Sequence, residues 1–335
     1  MDPDYAAALA SSAANAPAAY QSASPTIEEL RAAFVHAVTI PNKKYHEERL
    51  PPASSYVVED KLIPGPGGDI LVRCVVPVVP DDAQKFPVLL WIHGGGGCVG
   101  DIEIDDYHLR RISVDLQIVT VNVEYRLAPE HPFPAANDDC YAALKWVAEH
   151  ASEIKSDISL GFLVGGHSKG ANFAAMLAHV ARDDPFFEGR QLTGQLLREP
   201  AVVDSESDSV PDEYKADYKS MDENGNNPPI TRAAIKNLRR MQGAPPTDPR
   251  YAPLLYPSHA GLPPAYIQVL ELDPLRDDGI IYEKALRKAG VRARIDLYPG
   301  VSHGFHMSFP TIKLAEKGRE DVLKGLNWLL GREAC

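Results

Sequence analysis

The segment Gly166-His167-Ser168-Lys169-Gly170 constrains the fold of this 335-residue chain more than any other. It has the pattern G-x-S-x-G, follows the apolar run GFLVG and precedes the helical run ANFAAMLAHVA. A serine between glycines at a strand-to-helix junction is typical of a sharp, strained turn from which the hydroxyl projects. Backbone N–H groups at the start of the helix favour negative charge that develops there. The segment therefore predicts a nucleophilic serine on an α/β sheet.

The rest of the chain alternates between strand patterns and helix patterns. Several of the strand runs, such as VLLWI, are continuously apolar, as expected for strands that are buried on both faces of a parallel sheet. The predicted strands are Tyr56–Leu62, Ile70–Val76, Val88–Ile92, Ile118–Glu124, Gly161–Gly165, Gly194–Leu197, Ala265–Glu271 and Arg292–Tyr298. The predicted helices are Ala135–His150, Ala171–Arg182, Gly279–Ala289 and Ile312–Leu330. This alternation predicts a doubly wound α/β fold with a mostly parallel, eight-stranded sheet and helices on both faces.

Two regions interrupt the alternation and predict a cap. Residues 1–50 begin with an Ala/Ser/Pro-rich stretch of twenty residues that indicates a loosely ordered arm, followed by a helix over Thr26–Val38 with Thr26 as its N-cap. Residues 204–258 begin with DSESDSVPDEY and contain one amphipathic helix, Thr231–Met241. We expect residues 51–203 and 259–335 to form the core and the two regions to cover its C-terminal edge. A disordered surface loop is the alternative for the second region.

A second glycine-rich segment, His93-Gly94-Gly95-Gly96-Gly97, directly follows the run VLLWI. Consecutive glycines allow the main chain to approach a substrate and to point N–H groups at it. Together with the N–H of the residue after the serine, such a loop forms an oxyanion hole. The loop lacks the G-K-[ST] ending of a P-loop and the spacing G-x-G-x-x-G, which disfavours phosphate binding.

A serine nucleophile needs a base, and the base needs a carboxylate that orients it. In folds of this kind the acid and then the histidine follow the serine along the chain. Asp273 follows the run AYIQVLEL, and His303 follows RIDLY in a glycine-bounded loop. His306 is the nearest rival base. Asp277 and Asp278 are rival acids, but they fall at or inside the next helix, where they are expected to cap it or to meet its dipole.

These segments together resemble the hormone-sensitive-lipase family of α/β-hydrolases over about residues 55–330. The resemblance rests on HGGG, G-x-S-x-G, DPLRDDG, SHGF and the stretch VEYRLAPEHPFPAANDDCYAALKWV. It implies a serine carboxylesterase with a cap over an acyl pocket. By position it implies that Ser168 is the nucleophile, Asp273 the acid and His303 the base. It also implies that the second and third loop glycines, Gly95 and Gly96, share the oxyanion hole with Lys169.

The serine turn departs from the family, in which GDSAG is common, because here it reads GHSKG. We expect His167 to point away from the reacting carbonyl and to be packed or hydrogen-bonded behind the site. Lys169 contributes its backbone N–H whatever its side chain, which must lie against the neighbouring helix or sheet or meet an acidic partner. His93 and Glu130 are expected to support the active-site loops, and Cys98 to be a small apolar filler.

The predicted reaction is cleavage of carboxylic esters, with short- to medium-chain acyl groups, through an acyl-enzyme on Ser168. The predicted partner is a small-molecule ester, and no metal or organic cofactor is required. An amidase, a lactonase or a deacetylase that acts on a secondary metabolite has the same triad and remains open. A receptor without activity, as in the plant gibberellin receptors, is a further alternative, although it normally lacks the base.

Charge and cysteine content exclude other classes of partner. Acidic residues outnumber basic ones by 46 to 34, so the net charge of −12 disfavours nucleic acid. No stretch approaches the roughly 20 apolar residues of a membrane span. The N-terminus is a poor signal peptide, and four scattered cysteines, among them Cys74, Cys140 and Cys335, indicate neither a disulfide framework nor a zinc site. We therefore expect a cytoplasmic protein, and a homodimer is left open.

Overall fold

An eight-stranded sheet forms the centre of the protein. The computed structural model describes residues 1–13, 25–204 and 209–332. The strands are β1 Tyr56–Gly65, β2 Gly68–Pro77, β3 Val88–Ile92, β4 Val119–Glu124, β5 Phe162–His167, β6 Gly194–Arg198, β7 Ala265–Leu270 and β8 Ala293–Tyr298. They lie in the order β1-β2-β4-β3-β5-β6-β7-β8. Pairs β1–β2 and β2–β4 are antiparallel and the rest are parallel. The prediction of a mostly parallel, eight-stranded α/β sheet is confirmed.

Helices cover both faces of this sheet. They are α1 Pro3–Ala13, α2 Ile27–Phe34, α3 Ile40–Glu47, α4 Asp106–Leu116, α5 Ala135–His150, α6 Lys169–Asp183, α7 Asp212–Lys215, α8 Ser220–Asn224, α9 Arg232–Gln242, α10 Arg276–Lys288, α11 Phe305–Ser308 and α12 Lys313–Leu329. Side chains alternate along β3, so that Leu90 belongs to a core cluster that includes residues of α5, α6 and α10, while Trp91 belongs to a second cluster that includes residues of α4 and α12. Both residues are fully buried, which explains why the strand is apolar at every position.

The first helix corrects the prediction of a loosely ordered arm. Tyr5 on α1 is fully buried and lies edge-on to Phe305 and Phe309, with ring centroids 6.2 Å and 5.8 Å away. Its hydroxyl donates a hydrogen bond to the carbonyl of Pro228 at 3.2 Å. Burial of an aromatic ring stabilises this helix despite its Ala/Ser-rich sequence. The prediction is therefore wrong for residues 3–13, and residues 14–20 lie outside the described part of the chain.

The predicted helix at Thr26–Val38 is present but is longer and less regular. Thr26 caps α2 through a reciprocal pair of hydrogen bonds with Glu29, a capping box. A π-helical turn at Val35–Thr39 then connects α2 to α3 without a break. The wider turn is the one irregularity that the apolar spacing did not indicate.

The segment between β6 and β7 is folded wherever it is described. It contains α7, α8 and α9, and two acids at the start of α10 hold its backbone. Asp277 accepts hydrogen bonds from the N–H groups of Lys219 and Ser220, both at 2.7 Å. The disordered-loop alternative does not hold for residues 209–258, whereas their role as a cap stays a prediction. Among the described helices, none has the length and apolar content needed to cross a bilayer.

Candidate active site

Ser168 occupies a strained turn between β5 and α6. Its backbone has a φ of +55° and a ψ of −117°, and its N–H donates to the carbonyl of Arg198 on β6 at 2.8 Å. The flanking glycines permit this turn. A Cβ on Gly170 would lie 1.9 Å from the carbonyl oxygen of Ile92, and one on Gly166 would lie 2.5 Å from the carbonyl carbon of Gly170. Contact between main chains therefore requires glycine at both positions.

Three predicted residues form one hydrogen-bonded chain. His303 Nε2 lies 2.9 Å from Ser168 Oγ, and His303 Nδ1 lies 2.7 Å from Asp273 Oδ2. The other carboxylate oxygen of Asp273 accepts the N–H of Leu275 at 2.8 Å. Asp273 follows β7 and His303 follows β8, so the sheet brings together residues that lie 135 positions apart in sequence. All three side chains of the chain are buried.

The rival residues lie elsewhere. His306 Nε2 lies 3.1 Å from Glu199 Oε1, and burial holds the pKa of His306 well below its usual value. Asp278, like Asp277, binds main-chain N–H groups of the segment that follows β6, here those of Val202 and Val203. These two acids begin α10 as expected, but they bind neighbouring loops.

Glu199, directly after β6, is a buried acid that sequence analysis missed. It has a φ of +51° and is 2% exposed. Its Oε2 lies 3.1 Å from His167 Nε2 and accepts the N–H of Gly304 at 2.7 Å. Burial opposes its charge, but the contacts with His167 and His306 outweigh burial and hold the pKa of Glu199 well below its usual value. A carboxylate directly after a buried strand was the available signal.

The same carboxylate acts on His303. Burial disfavours the charged imidazole, but the charge and hydrogen bond of Asp273 and the charge of Glu199 outweigh it and raise the pKa of His303 to about 9. Donor atoms of His167, Glu199 and His303 lie within 4.8 Å of one another, a spacing that also suits a metal ion. Because each of these side chains is hydrogen-bonded within the network, we interpret the cluster as a support for the imidazole.

The glycine loop after β3 presents main-chain donors beside Ser168. Gly95 has a φ of +107°, and a Cβ there would lie 1.9 Å from the carbonyl oxygen of Val99. The carbonyl of Gly95 accepts the N–H groups of Cys98 and Val99, which fixes the loop. Within the described residues, no acceptor is bound to the N–H of Gly95 or Gly96, and the N–H of Lys169 opens the first turn of α6.

Two histidines lie behind this loop. His93 stacks on Tyr125 with ring centroids 4.2 Å apart, and the Tyr125 hydroxyl donates to the carbonyl of His93 at 3.0 Å. Burial lowers the pKa of His93 to about 4 and keeps the ring neutral. His167 packs against the loop, since a Cβ on Gly94 would lie 2.7 Å from its Nδ1.

An arginine from α2 ties the outer side of the loop to Glu130. Arg31 donates to both carboxylate oxygens of Glu130, at 2.8 Å and 2.7 Å, and its Nε donates to the carbonyl of Cys98 at 3.0 Å. Cys98 is fully buried, and burial raises the pKa of its thiol to about 12. Among the described residues, Arg31 therefore provides the link between Glu130 and the end of the glycine loop.

Two cavities open beside Ser168. The larger has a volume of about 710 Å³ and is lined by α2, α9, the glycine loop and the loop of His303. The smaller has a volume of about 50 Å³ and contains Lys169, with apolar walls formed partly by Ala201 and Leu275. Lys169 is 6% exposed, and its Nζ lies over the rings of Tyr251 and Phe173, 4.2 Å and 5.0 Å from their centroids. It lies against a ring of its own helix and a ring of the segment after α9, rather than against the neighbouring helix or sheet or a carboxylate, as we expected.

Comparison with known proteins identifies the family. The model of the alpha/beta hydrolase fold family matches residues 89–307. The carboxylic ester hydrolase LipN of Mycobacterium tuberculosis is 36% identical over 280 residues, 82% of this chain and 71% of LipN. Among solved structures, a vibralactone cyclase has a TM-score of 0.90 and 40% identity, covering 93% of this chain and 91% of its own. A bacterial heroin esterase has a TM-score of 0.79 and 30% identity, covering 98% of both chains. This chain is therefore a member of the α/β-hydrolase fold family and, within it, a carboxylesterase-like hydrolase of the hormone-sensitive-lipase type.

Proposed function

We propose that the chain cleaves carboxylic esters through a covalent acyl-enzyme on Ser168. The observation that carries this proposal is the hydrogen-bonded chain from Ser168 through His303 to Asp273, with distances of 2.9 Å and 2.7 Å. Ser168, at the end of this series of hydrogen bonds, lines a cavity of about 710 Å³, which has room for an organic ester. The hydrogen bonds of Ser168 and its access to this cavity together favour an enzyme over a receptor.

His303 acts as the base in the first half of the reaction. Its Nε2 accepts the proton of the Ser168 hydroxyl while Oγ attacks the ester carbonyl. Asp273 binds Nδ1 and holds the tautomer that leaves Nε2 free to accept. The imidazolium then gives its proton to the departing alkoxide, and the acyl group stays on Ser168. A water molecule, deprotonated by His303, reverses these steps and releases the acid.

Main-chain N–H groups stabilise the tetrahedral oxyanion in this proposal. The donors are those of Gly95, Gly96 and Lys169, and fixed donors of this kind act on charge that develops only in the transition state. The hydrogen bonds that anchor the Gly95 carbonyl support the assignment, because they preorganise the loop before substrate binds.

The two cavities support a substrate of unequal halves. Both are lined by Gly96 and Ser168, so a carbonyl at Ser168 can extend one substituent into each. A volume of about 50 Å³ accepts only a short group, whereas about 710 Å³ accepts a bulky one. We therefore infer that the substrates carry short- to medium-chain acyl groups and that the short acyl groups lie in the smaller cavity.

Hydrolysis of p-nitrophenyl acetate, butyrate, hexanoate and decanoate by wild type and by Ser168→Ala tests the proposal. We expect the wild type to turn over the short esters and the variant, with an unchanged circular dichroism spectrum, to lose on the order of 10⁴ or more in kcat. Equal turnover by both proteins would refute the assignment. Saturable binding of an ester without turnover in the wild type would favour the receptor alternative.

Lactone formation is a second candidate, favoured by the 40% identity with a protein described as a vibralactone cyclase. An acyl group that carries a hydroxyl can leave Ser168 by attack of that hydroxyl on its own carbonyl. The new C–O bond replaces the bond to Oγ, and His303 carries the hydroxyl proton to the departing serine. Mass spectrometry of the products from a hydroxyacyl p-nitrophenyl ester separates the lactone from the free hydroxy acid.

A further inference from the structure

The smaller cavity beside Ser168 contains a buried cation, Lys169, that is paired with no carboxylate of the described residues. Lys169 is 6% exposed, and its Nζ forms no ion pair or hydrogen bond with any residue of the described ranges. The other cation at this cavity, Arg239, is ion-paired with Asp204 at 2.7 Å. Lys169 therefore differs from its neighbour in having no compensating carboxylate.

The aromatic contacts of Lys169 do not replace an anion. The ring faces of Tyr251 and Phe173 attract the charge, but a ring face offers none of the lone pairs that three ammonium donors require. Burial and the nearby charge of Arg239 lower the pKa of Lys169 to about 7, which reflects the missing anion. A buried ammonium group with unused donors is costly for the free protein unless a ligand supplies acceptors.

The fold holds Lys169 in this position. Asn172, one turn further along α6, donates from its amide to the carbonyls of Ala201 and Tyr251 and so fixes the loops on either side of the cavity. The second of these bonds holds the main chain of Tyr251, whose ring lies over the ammonium group. The cavity volume of about 50 Å³ corresponds to roughly four water-sized groups, a short chain that ends in a small polar group.

We propose that the smaller cavity binds the acyl half of an ester that ends in a carboxylate, and that the Lys169 ammonium group pairs with this carboxylate. The substrate class is the monoester of a short dicarboxylic acid, such as a hemisuccinate, whose alcohol half lies in the larger cavity. The inference rests on the proposed function, because it requires the ester carbonyl at Ser168. It extends that function by naming the charge of the acyl group.

Three p-nitrophenyl esters of similar length test this inference: the hydrogen succinate, the methyl succinate and the pentanoate. The measured quantity is the ratio of kcat/KM for the anionic ester to kcat/KM for each neutral ester. Uncatalysed rates are subtracted, because the neighbouring carboxylate accelerates spontaneous hydrolysis. We expect wild type to favour the anion by about tenfold or more near neutral pH.

Lys169→Met should reverse this preference, because it keeps the length of the side chain and removes its charge. Lys85→Met, which removes an exposed lysine in the loop before β3, is the matched control and should keep the wild-type ratio. Inhibition gives a second readout, in which succinamate should inhibit wild type at a concentration about tenfold lower than butyramide, which has a similar length but no carboxylate. This readout does not depend on a folded Lys169 variant.

The outcomes separate this inference from the proposed function. Ser168-dependent hydrolysis of the neutral esters without preference for the anion would overturn the inference and leave the esterase in place. A preference that survives in Lys169→Met would also overturn it. Absence of Ser168-dependent hydrolysis of all three esters, with no stronger inhibition by succinamate than by butyramide, would overturn both.

Discussion

Glu199 Oε2 lies 3.5 Å from Nδ1 of His303, the nitrogen that Asp273 binds at 2.7 Å. Two buried carboxylates therefore face one imidazole. Asp273 makes the direct hydrogen bond, whereas Glu199 also accepts the N–H of Gly304, next to His303. Glu199 thus fixes the loop of His303 and adds negative charge behind the ring.

Glu199→Gln should shift the pH dependence of activity. In the proposed mechanism His303 works as a base only when neutral, so kcat/KM should rise as the pH passes upward through its pKa of about 9. Loss of one negative charge lowers that pKa, and the rising limb should move to lower pH by about one unit. Titration of kcat/KM for a neutral ester from about pH 6 to about pH 10 measures the shift. A lower kcat with an unmoved limb would show that Glu199 acts only on structure.

Asp273→Asn should lower kcat by about 10³–10⁴, because the amide no longer holds the required tautomer of His303. Glu199 remains close to the same nitrogen, so the double variant Asp273→Asn/Glu199→Gln should lose about a further tenfold. Asp277→Asn is the control, since Asp277 binds main-chain N–H groups of Lys219 and Ser220, away from the base. This control variant should have a lower melting temperature and a nearly unchanged kcat.

Gly95→Ala should lower kcat by about 10²–10³ with a smaller change in KM. The added Cβ would lie 1.9 Å from the carbonyl oxygen of Val99, so the loop must shift its N–H donors. Gly290→Ala is a matched control: its φ of +80° carries a similar conformational penalty, but no atom lies within 4 Å of the added Cβ. Loss of stability without loss of kcat is expected there, and a comparable kcat loss in both variants would contradict our reading of the loop.

Lys169→Met should stabilise the protein in the absence of ligand, most strongly at neutral and lower pH. The pKa of Lys169 falls from 10.5 to about 7 on folding, so between these values the unfolded chain binds a proton that the folded chain lacks. Wild-type stability consequently rises with pH across this window, and the advantage of the variant shrinks there. Urea denaturation should show a gain on the order of 1–3 kcal/mol near pH 7 and less near pH 10. A pH-independent difference would indicate a packing effect alone.

Arg31→Met should weaken the link between α2 and the glycine loop. The ion pair of Arg31 with Glu130 is largely exposed, so its loss should cost only about 0–1 kcal/mol of stability. The hydrogen bond to the carbonyl of Cys98 is also lost, and we expect kcat/KM to fall several-fold. Glu130→Gln keeps that hydrogen bond and should change kcat/KM less. Equal effects of the two variants on kcat/KM would show that Arg31 acts through its ion pair with Glu130 and not through the hydrogen bond to Cys98.

Much of the fold could be predicted because the buried strands are apolar at every position and are separated by helical patterns. Val88–Ile92 and Ala135–His150 have the predicted bounds. The helix Asp106–Leu116 was missed, although Leu109, Ile112 and Leu116 recur at helical spacing and are buried. Asp106, His108 and Ser113 on the same helix are buried as well, and these polar residues obscured the pattern.

The candidate site also contains residues that the sequence could predict and residues that it could not. The spacing of the glycines identified Ser168 and the loop of Gly95. Main-chain atoms lie so close to Gly95, Gly166 and Gly170 that no side chain fits at these positions. Glu199 has no such pattern: its role depends on a positive φ and on histidines at the end of β5 and after β8. The buried state of Lys169 is equally a tertiary property, since it depends on Tyr251 far along the chain.

The contact between His167 and Glu199 limits how this site can diverge from its relatives. At 3.1 Å, the imidazole and the carboxylate form a buried pair, and an aspartate at position 167, as in the common GDSAG turn, would face Glu199 with a second negative charge. A single substitution toward that sequence therefore passes through an intermediate with two opposed carboxylates beneath Ser168. Positions 167 and 199 are therefore expected to change together over evolutionary time, and the combination of an aspartate at 167 with a glutamate at 199 is expected to be rare.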